Sequence, residues 1–172
     1  MSYVFRPLTQ KDLPLLRKWL ETPHVAQWWG DPDQALVEIR ENIDSDSVEP
    51  LLVELDGRPI AYVQSYDPHL EDDHPYADQP FGTLGLDLSI GVADLVGIGH
   101  GSAMLAQFAA ELFDEGAPRL IIDPHPDNGR AHGNAADRIF ADRRITHPLA
   151  SELFSQSLRH FERAAIFGDI FA

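Results

Sequence analysis

Between residues 84 and 117 the chain passes from an alternating apolar segment, through glycines at every second position, into an amphipathic run, and few architectures accept that succession. Leu84, Leu86, Leu88 and Ile90 recur with a period of two, the pattern of a strand. Gly97-Ile98-Gly99-His100-Gly101-Ser102 reads as a glycine-rich turn. Met104, Leu105, Phe108, Ala109, Leu112 and Phe113 then fall on one side of a helix, which Gly116 ends, with Pro118 just beyond. Strand, glycine turn and helix in that order present backbone N–H groups and a positive dipole end to an anion such as a phosphate. A tight connection with no ligand is the other reading of the same residues. No Lys-Ser or Lys-Thr pair follows the glycines, so this is not a Walker loop. The Gly-x-Gly-x-Gly spacing also departs from the dinucleotide fingerprint.

With 172 residues and 44% hydrophobic content, residues 1–172 are expected to form one globular domain. The absence of cysteine excludes a disulfide framework, a thiolate nucleophile and a cysteine-zinc site. The start, MSYVFRPLTQKDL, is charged too early for a signal peptide, and no apolar run approaches a membrane span, so a cytoplasmic location is expected. A balance of 13 basic against 28 acidic residues argues against a nucleic-acid partner. Its distribution says more. No Lys or Arg occurs from Pro59 to Pro118, and Asp67, Glu71, Asp72, Asp73 and Asp78 crowd one stretch of that window. That stretch is either a solvated loop that aids solubility or a cleft wall, with Asp72 and Asp73, that concentrates a cationic substrate. His69 and His74 lie nearby without any standard ligand spacing, so no metal is expected.

Residues Val4 to Leu8 read as a strand, followed by a helix with Thr9 as N-cap and Leu13, Leu15, Leu16, Trp19 and Leu20 as its stripe. Adjacent Trp28 and Trp29 cannot both face one core from a regular helix, so either one lies at a surface or pocket or both are partly buried in an irregular turn. Asp33 to Asn42 reads as a second short helix. Strands from Pro50 to Leu55 and from Ile60 to Tyr66 flank Asp56-Gly57, the strongest short hairpin signal, and alternation sets Tyr62, Gln64 and Tyr66 on one face. Arg119 to Asp123 reads as a buried strand ended by Pro124. Beyond Asn128 the signals weaken. A helix over Arg130–Phe140 is opposed by Gly133 and Asn134; strands between Ile145 and Ser157 and a helix from Leu158 to Ala165 are weaker readings still. The order β-α-α-β-β-β-α-β gives an α+β class with a mixed sheet.

Val96-Gly97-Ile98-Gly99-His100-Gly101 resembles motif A of the GNAT acyl-CoA N-acetyltransferases, Gln/Arg-x-x-Gly-x-Gly/Ala, with Val96 in the polar position. Trp28-Trp29-Gly30, Ser47-Val48-Glu49-Pro50, the run from Asp56 to Tyr66, Gly85-Leu86-Asp87 and Asp123-Pro124-His125-Pro126-Asp127-Asn128 resemble, in order, the aminoglycoside 6'-N-acetyltransferases. That resemblance covers about Val4 to Asn128. It implies a GNAT fold, a mixed and mostly antiparallel central sheet flanked by helices. It implies acetyl-CoA as cosubstrate, no metal, and acetyl transfer to the 6'-amine of a cationic aminosugar, by a monomer or homodimer. It puts Val92, Gly97, Ile98, Gly99, His100, Gly101, Ser102 and Asn128 at the cofactor. It puts Trp28, Trp29, Gln64, Tyr66, Asp87 and Asp123 at the aminoglycoside, with Asp87 as general base. Siderophore-biosynthetic acetylases share the Trp-Trp-Gly pattern, so a siderophore or polyamine precursor is the alternative acceptor. Where the family continues with Asn-x-Arg-Ala and a tyrosine-bearing helix, this chain has Asn128, Arg130 and Ala131, but Ala135 in place of the tyrosine.

Amine acetylation needs a carboxylate to accept a proton, directly or through water, and a donor for the oxyanion. Asp87 and Asp123 lie at or near strand ends, where they are either at the site or structural caps. The segment from Ser89 to Val92 is positioned to offer an amide to the thioester oxygen. His100 is able to approach a phosphate, while the loop itself has no Lys or Arg and must rely on amides, with Arg130 and Arg138 farther off. Ala135 suggests slow turnover, with Tyr66 or water as proton donor, or a catalytically weak relative that binds polycations or CoA.

Overall fold

The computed structural model describes residues 2–125, 127–128 and the backbone of 139–142. Strand β1 (Val4–Pro7) leads through a 3-10 turn at Gln10–Asp12 into helix α1 (Leu13–Leu20). The Asp12 carboxylate accepts both the Thr9 amide and hydroxyl. Arg6 grips the same carboxylate at 2.7 Å and Glu54 at 2.8 Å, and this holds the Asp12 carboxyl well below the usual range. Helix α2 (Pro23–Trp29) is an element that apolar periodicity does not reveal. Pro23 opens it, and Gly30 at φ 64° closes it after seven residues. Helix α3 (Pro32–Asn42) starts at Asp31, whose side chain accepts the Asp33 and Gln34 amides.

Strands β2 (Val48–Leu55) and β3 (Arg58–Tyr66) form a hairpin in which both turn residues, Asp56 at φ 52° and Gly57 at φ 74°, are left-handed, as a two-residue turn of the type I′ kind demands. Then come β4 (Leu84–Ile90), helix α4 (His100–Glu115) and β5 (Arg119–Ile122). Strand β6 (Ile139–Asp142) corrects the helix expected over Arg130–Phe140: Phe140 pairs with Ile121 in an antiparallel ladder. The rest of that expectation, and those from Ile145 to Ala165, fall outside the described residues.

The sheet runs β1-β2-β3-β4-β5-β6, with β4–β5 its parallel pair. Alternation sorts each strand onto two cores. Val53, Val63, Leu86, Leu88 and Ile90 meet Met104, Leu105, Phe108 and Leu112 of α4. On the opposite face Leu52 and Tyr62 meet Leu16, Trp19, Leu20, Leu36 and Ile39 of α1 and α3. The result is the mixed, mostly antiparallel sheet flanked by helices that the resemblance implied. Two departures from regularity matter for the site. Gly91 and Val92 both direct their amides at the Ile60 carbonyl, at 2.9 and 3.4 Å, a two-against-one bulge at the end of β4. Strand β5 pairs with β4 only at Leu84↔Leu120 and Gly85↔Ile121, so among the described residues the β4 edge beyond Gly85 has no strand beside it.

Candidate active site

Tyr62, Gln64 and Tyr66 share the sheet face covered by α1–α3, and β4 sets Ser89, Asp87 and Gly85 opposite them. Gln64 and Asp87 are register partners, and Gln64 Nε2 donates to Asp87 Oδ2 at 2.8 Å. Gln64 Oε1 accepts from the Tyr62 hydroxyl at 2.6 Å and from Asn42 Nδ2 at 3.4 Å, which fixes the amide's orientation. Asp87 is 9% exposed. Burial pushes its carboxyl up to about 7; the Gln64 hydrogen bond opposes this, and Asp123 and Glu71 add to it. A carboxyl poised there exchanges protons near neutral pH.

The Tyr66 ring lies across Gly85, its register partner: a Cβ on Gly85 would sit 1.9 Å from Tyr66 Cζ. Burial, with Asp87, Tyr76, Asp123 and Glu71 nearby, keeps the Tyr66 hydroxyl protonated. In front of Gln64 and Tyr66 opens a cavity of about 260 Å³, with Glu38, Glu41 and Asn42 from α3 and Glu71 and His74 from the loop after β3 in its wall. Burial first, then Glu41, raises the Glu38 carboxyl. His74 is clasped between Tyr66 and Tyr76, with ring centroids 5.4 and 5.2 Å away.

Other expected site residues are distributed around this centre. Asp123 follows β5 and accepts a hydrogen bond from the Tyr76 hydroxyl. Trp28 stands 5.7 Å from the His125 ring. Trp29 turns its edge to Tyr62 at 5.7 Å and packs into both cores. Trp28 also packs against the α4-side core, so both indoles are partly buried against it from a helix, contrary to the expectation that they could not both face one core, and Trp29 in addition backs the Tyr62–Gln64 chain. Asp72 and Asp73 are exposed and absent from the cavity wall, where Glu71 stands instead. The carboxylates of α3 were not anticipated. Glu38 and Glu41, three apart and thus on one helix face, were the signal available.

The glycine loop opens at the N-terminus of α4. Gly97 and Gly99 have φ of 79° and 94°, and a Cβ at either would meet nothing within 4 Å. The helical ladder starts at Ala103 N–H to Gly99 O, 3.1 Å, so the amides of the first turn, which begins at His100, point out along the axis. Left-handed glycines before an uncapped 16-residue helix suit a diphosphate. Gly101 and Ser102 are buried in that turn, and Ile98 is exposed at the loop tip. His100 turns inward, with Nδ1 2.8 Å from the Tyr3 hydroxyl, and does not face the loop. Val92 spends its amide on Ile60, and Asn128 is buried with its amide on the His125 carbonyl. Arg130, Ala135 and Arg138 lie outside the described residues. Alternation from the Gly91–Ile60 bond aims the Leu88 and Ile90 amides at the open edge of β4.

The sequence profile of the acetyltransferase (GNAT) domain matches residues 9–147. The aminoglycoside N(6')-acetyltransferase type 1 of Klebsiella pneumoniae is 30% identical over 139 residues, covering 76% of this chain and 69% of that protein. The N-hydroxyputrescine acetyltransferase of Acinetobacter baumannii is 28% identical over 128 residues, covering 72% and 61%. Among solved structures, the aminoglycoside acetyltransferase AAC(6')-Ib in complex with coenzyme A and kanamycin superposes with a TM-score of 0.68 at 28% identity, over 76% of this chain and 78% of that one.

Proposed function

The chain belongs to the GNAT acetyltransferase family, and from that membership we propose that it carries the acetyl group of acetyl-CoA to the 6'-amine of an aminoglycoside. The observation that carries this reading is the Gln64–Asp87 pair: a buried carboxyl poised near neutrality behind a cavity walled by Glu38, Glu41 and Glu71. The acidic wall draws in an ammonium group, and Asp87, directly or through water, takes the proton that frees the amine. Gln64 holds the carboxylate in place.

The diphosphate of the acyl donor suits the Gly97–Ser102 loop, and its thioester suits the open β4 edge. The amine nitrogen attacks the carbonyl carbon, and the Ile90 or Leu88 amide donates to the oxygen as it gains charge. The C–S bond then breaks. A thiol has a pKa near 8.5, so CoA is able to leave as the thiolate and take its proton from water; the Tyr66 hydroxyl, pushed up by burial and nearby carboxylates, is too weak an acid to give it. Hydroxylated diamines form a second acceptor class, favoured by the likeness to the N-hydroxyputrescine enzyme. Acetyl-CoA turnover followed with a thiol reporter, against kanamycin, tobramycin, gentamicin, spermidine and N-hydroxyputrescine, tests both. Acetylation of an aminoglycoside at the 6'-nitrogen is expected. Turnover restricted to the linear amines would move the chain to the second class.

A further inference from the structure

His74 is a buried polar side chain that the proposed reaction does not use. Its side chain is 5% exposed, and among the described residues its Nε2 has no hydrogen-bond partner. Its Nδ1 accepts the Tyr76 backbone amide at 3.2 Å, which requires a lone pair there and leaves the proton of the neutral ring on Nε2. Burial also lowers the pKa of the ring, against an opposing pull from Glu71. Tyr66 and Tyr76 fix the ring from two sides. Glu71 Oε2 stands 3.8 Å from the orphaned Nε2–H in the same cavity wall, on a carboxylate that is 34% exposed. A shift of under an ångström closes that gap to a hydrogen bond.

We propose that His74 is a positioning residue that holds the Glu71 carboxylate as the anchor for a second ammonium group of the acceptor, so that polyamines are bound in preference to monoamines. The inference rests on the acceptor reading above. A neutral imidazole is suited to this task. Lys or Arg in its place would orient Glu71 but cancel the charge that attracts a cation, whereas Nε2–H orients the carboxylate and leaves its charge intact. Of the other carboxylates, Asp72 and Asp73 stand outside the wall, and Glu38, shifted toward its protonated form, lies with Glu41 on the α3 side of the cavity.

Calorimetry on the full chain with CoA present separates the two readings, using kanamycin as polyamine and 6-amino-6-deoxyglucose as monoamine. Glu71→Gln is expected to weaken kanamycin about tenfold, the order of a charge-assisted hydrogen bond, and the monoamine less than twofold. His74→Phe keeps the ring packing, removes the donor and should shift selectivity in the same direction; His74→Gln retains an N–H donor and should recover most of the loss. The double variant Glu71→Gln/His74→Phe should be no weaker than Glu71→Gln alone. In the wild type, kanamycin should move the His74 Nε2 proton resonance downfield, and in Glu71→Gln it should not. Unchanged kanamycin affinity in Glu71→Gln, or equal losses for both ligands, overturns the proposal, and that comparison stands even where His74→Phe fails to fold. A wild type that binds CoA but neither amine overturns the acceptor reading and this inference together.

Discussion

Replacing Asp87 with Asn is expected to make the protein more stable and much less active, and both effects should depend on pH. The Asp87 carboxyl lies at about 7 in the folded chain against an ordinary value of 3.8, a rise of about 3 units. A raised carboxyl binds its proton more tightly when folded than when unfolded. Folding therefore loses stability as pH climbs from about 4 to about 7, and the full penalty is present above 7. At 1.36 kcal/mol per unit the ceiling is about 4 kcal/mol. Asn at this position still accepts from Gln64 Nε2 but must place an amide of its own, so a gain of about 2–4 kcal/mol at pH 8 is expected. At about 2–4 °C per kcal/mol this is a rise of roughly 4–16 °C in Tm. The difference should shrink to about 1 kcal/mol at pH 4.5, where folded Asp87 is protonated while the unfolded carboxyl is still mostly ionised. Many other carboxylates titrate in this acidic chain, so the informative quantity is variant minus wild type, from thermal unfolding at pH 4.5 to 8.5. Over the same range wild-type kcat/KM should rise through about pH 7, and the variant should lose about 10²–10⁴ in kcat. A pH-independent stability difference, or a variant less stable than wild type at pH 8, would refute the account of Asp87 as a strained, desolvated base.

Three further outcomes are expected. Gly85→Ala forces a Cβ into the Tyr66 ring and should cost about 1–3 kcal/mol along with acceptor affinity; in a Tyr66→Ala background the stability loss should largely vanish, and its persistence there in thermal unfolding would show that the ring is not the obstacle. Gly99→Val sets a β-branched residue at φ 94°, so CoA affinity by calorimetry should fall, and unchanged affinity in a folded variant would remove the loop from the cofactor site. Charge reversal of Asp72 and Asp73, both exposed, should flatten the salt dependence of aminosugar binding while changing affinity little at high salt; a loss that survives about 1 M salt would mean direct contact.

Much of this was legible locally. Asp56-Gly57 announced its hairpin because a turn with two left-handed residues has few sequence solutions. The period of Leu84 to Ile90 oriented β4, and with Tyr62, Gln64 and Tyr66 on one face of β3, the pairing of Gln64 with Asp87 needed only the register. Helix α2 was not legible, because seven residues between a proline and a glycine carry no measurable period, and Trp-Trp obscures what little there is. Glu38, Glu41 and Glu71 escaped for another reason. Their meeting depends on how α3 and the long loop close over the end of β3, and nothing local encodes that. The charge-rich Asp72-Asp73 pair drew the eye one residue past the carboxylate that lines the cavity. His100 misled in the same way: its place in a glycine motif pointed outward, while its contact with Tyr3 turned it inward.

The sheet's spatial order repeats the order of its strands along the chain, and that has a consequence for synthesis on the ribosome. Each strand finds its partner already made, beginning with the β2–β3 hairpin, whose two-residue turn closes within about 1–10 μs. The wall of the acceptor cavity is complete once β4 has emerged. The α4 side has no such early start. Until α4 arrives, Leu86, Leu88 and Ile90 form a naked apolar face on a temporary edge strand, which invites pairing with other nascent chains. Stalled chains that have cleared the ribosome as far as a residue between 90 and 99 should therefore be the most chaperone-dependent stage of this protein, and emergence through Glu115 should release them.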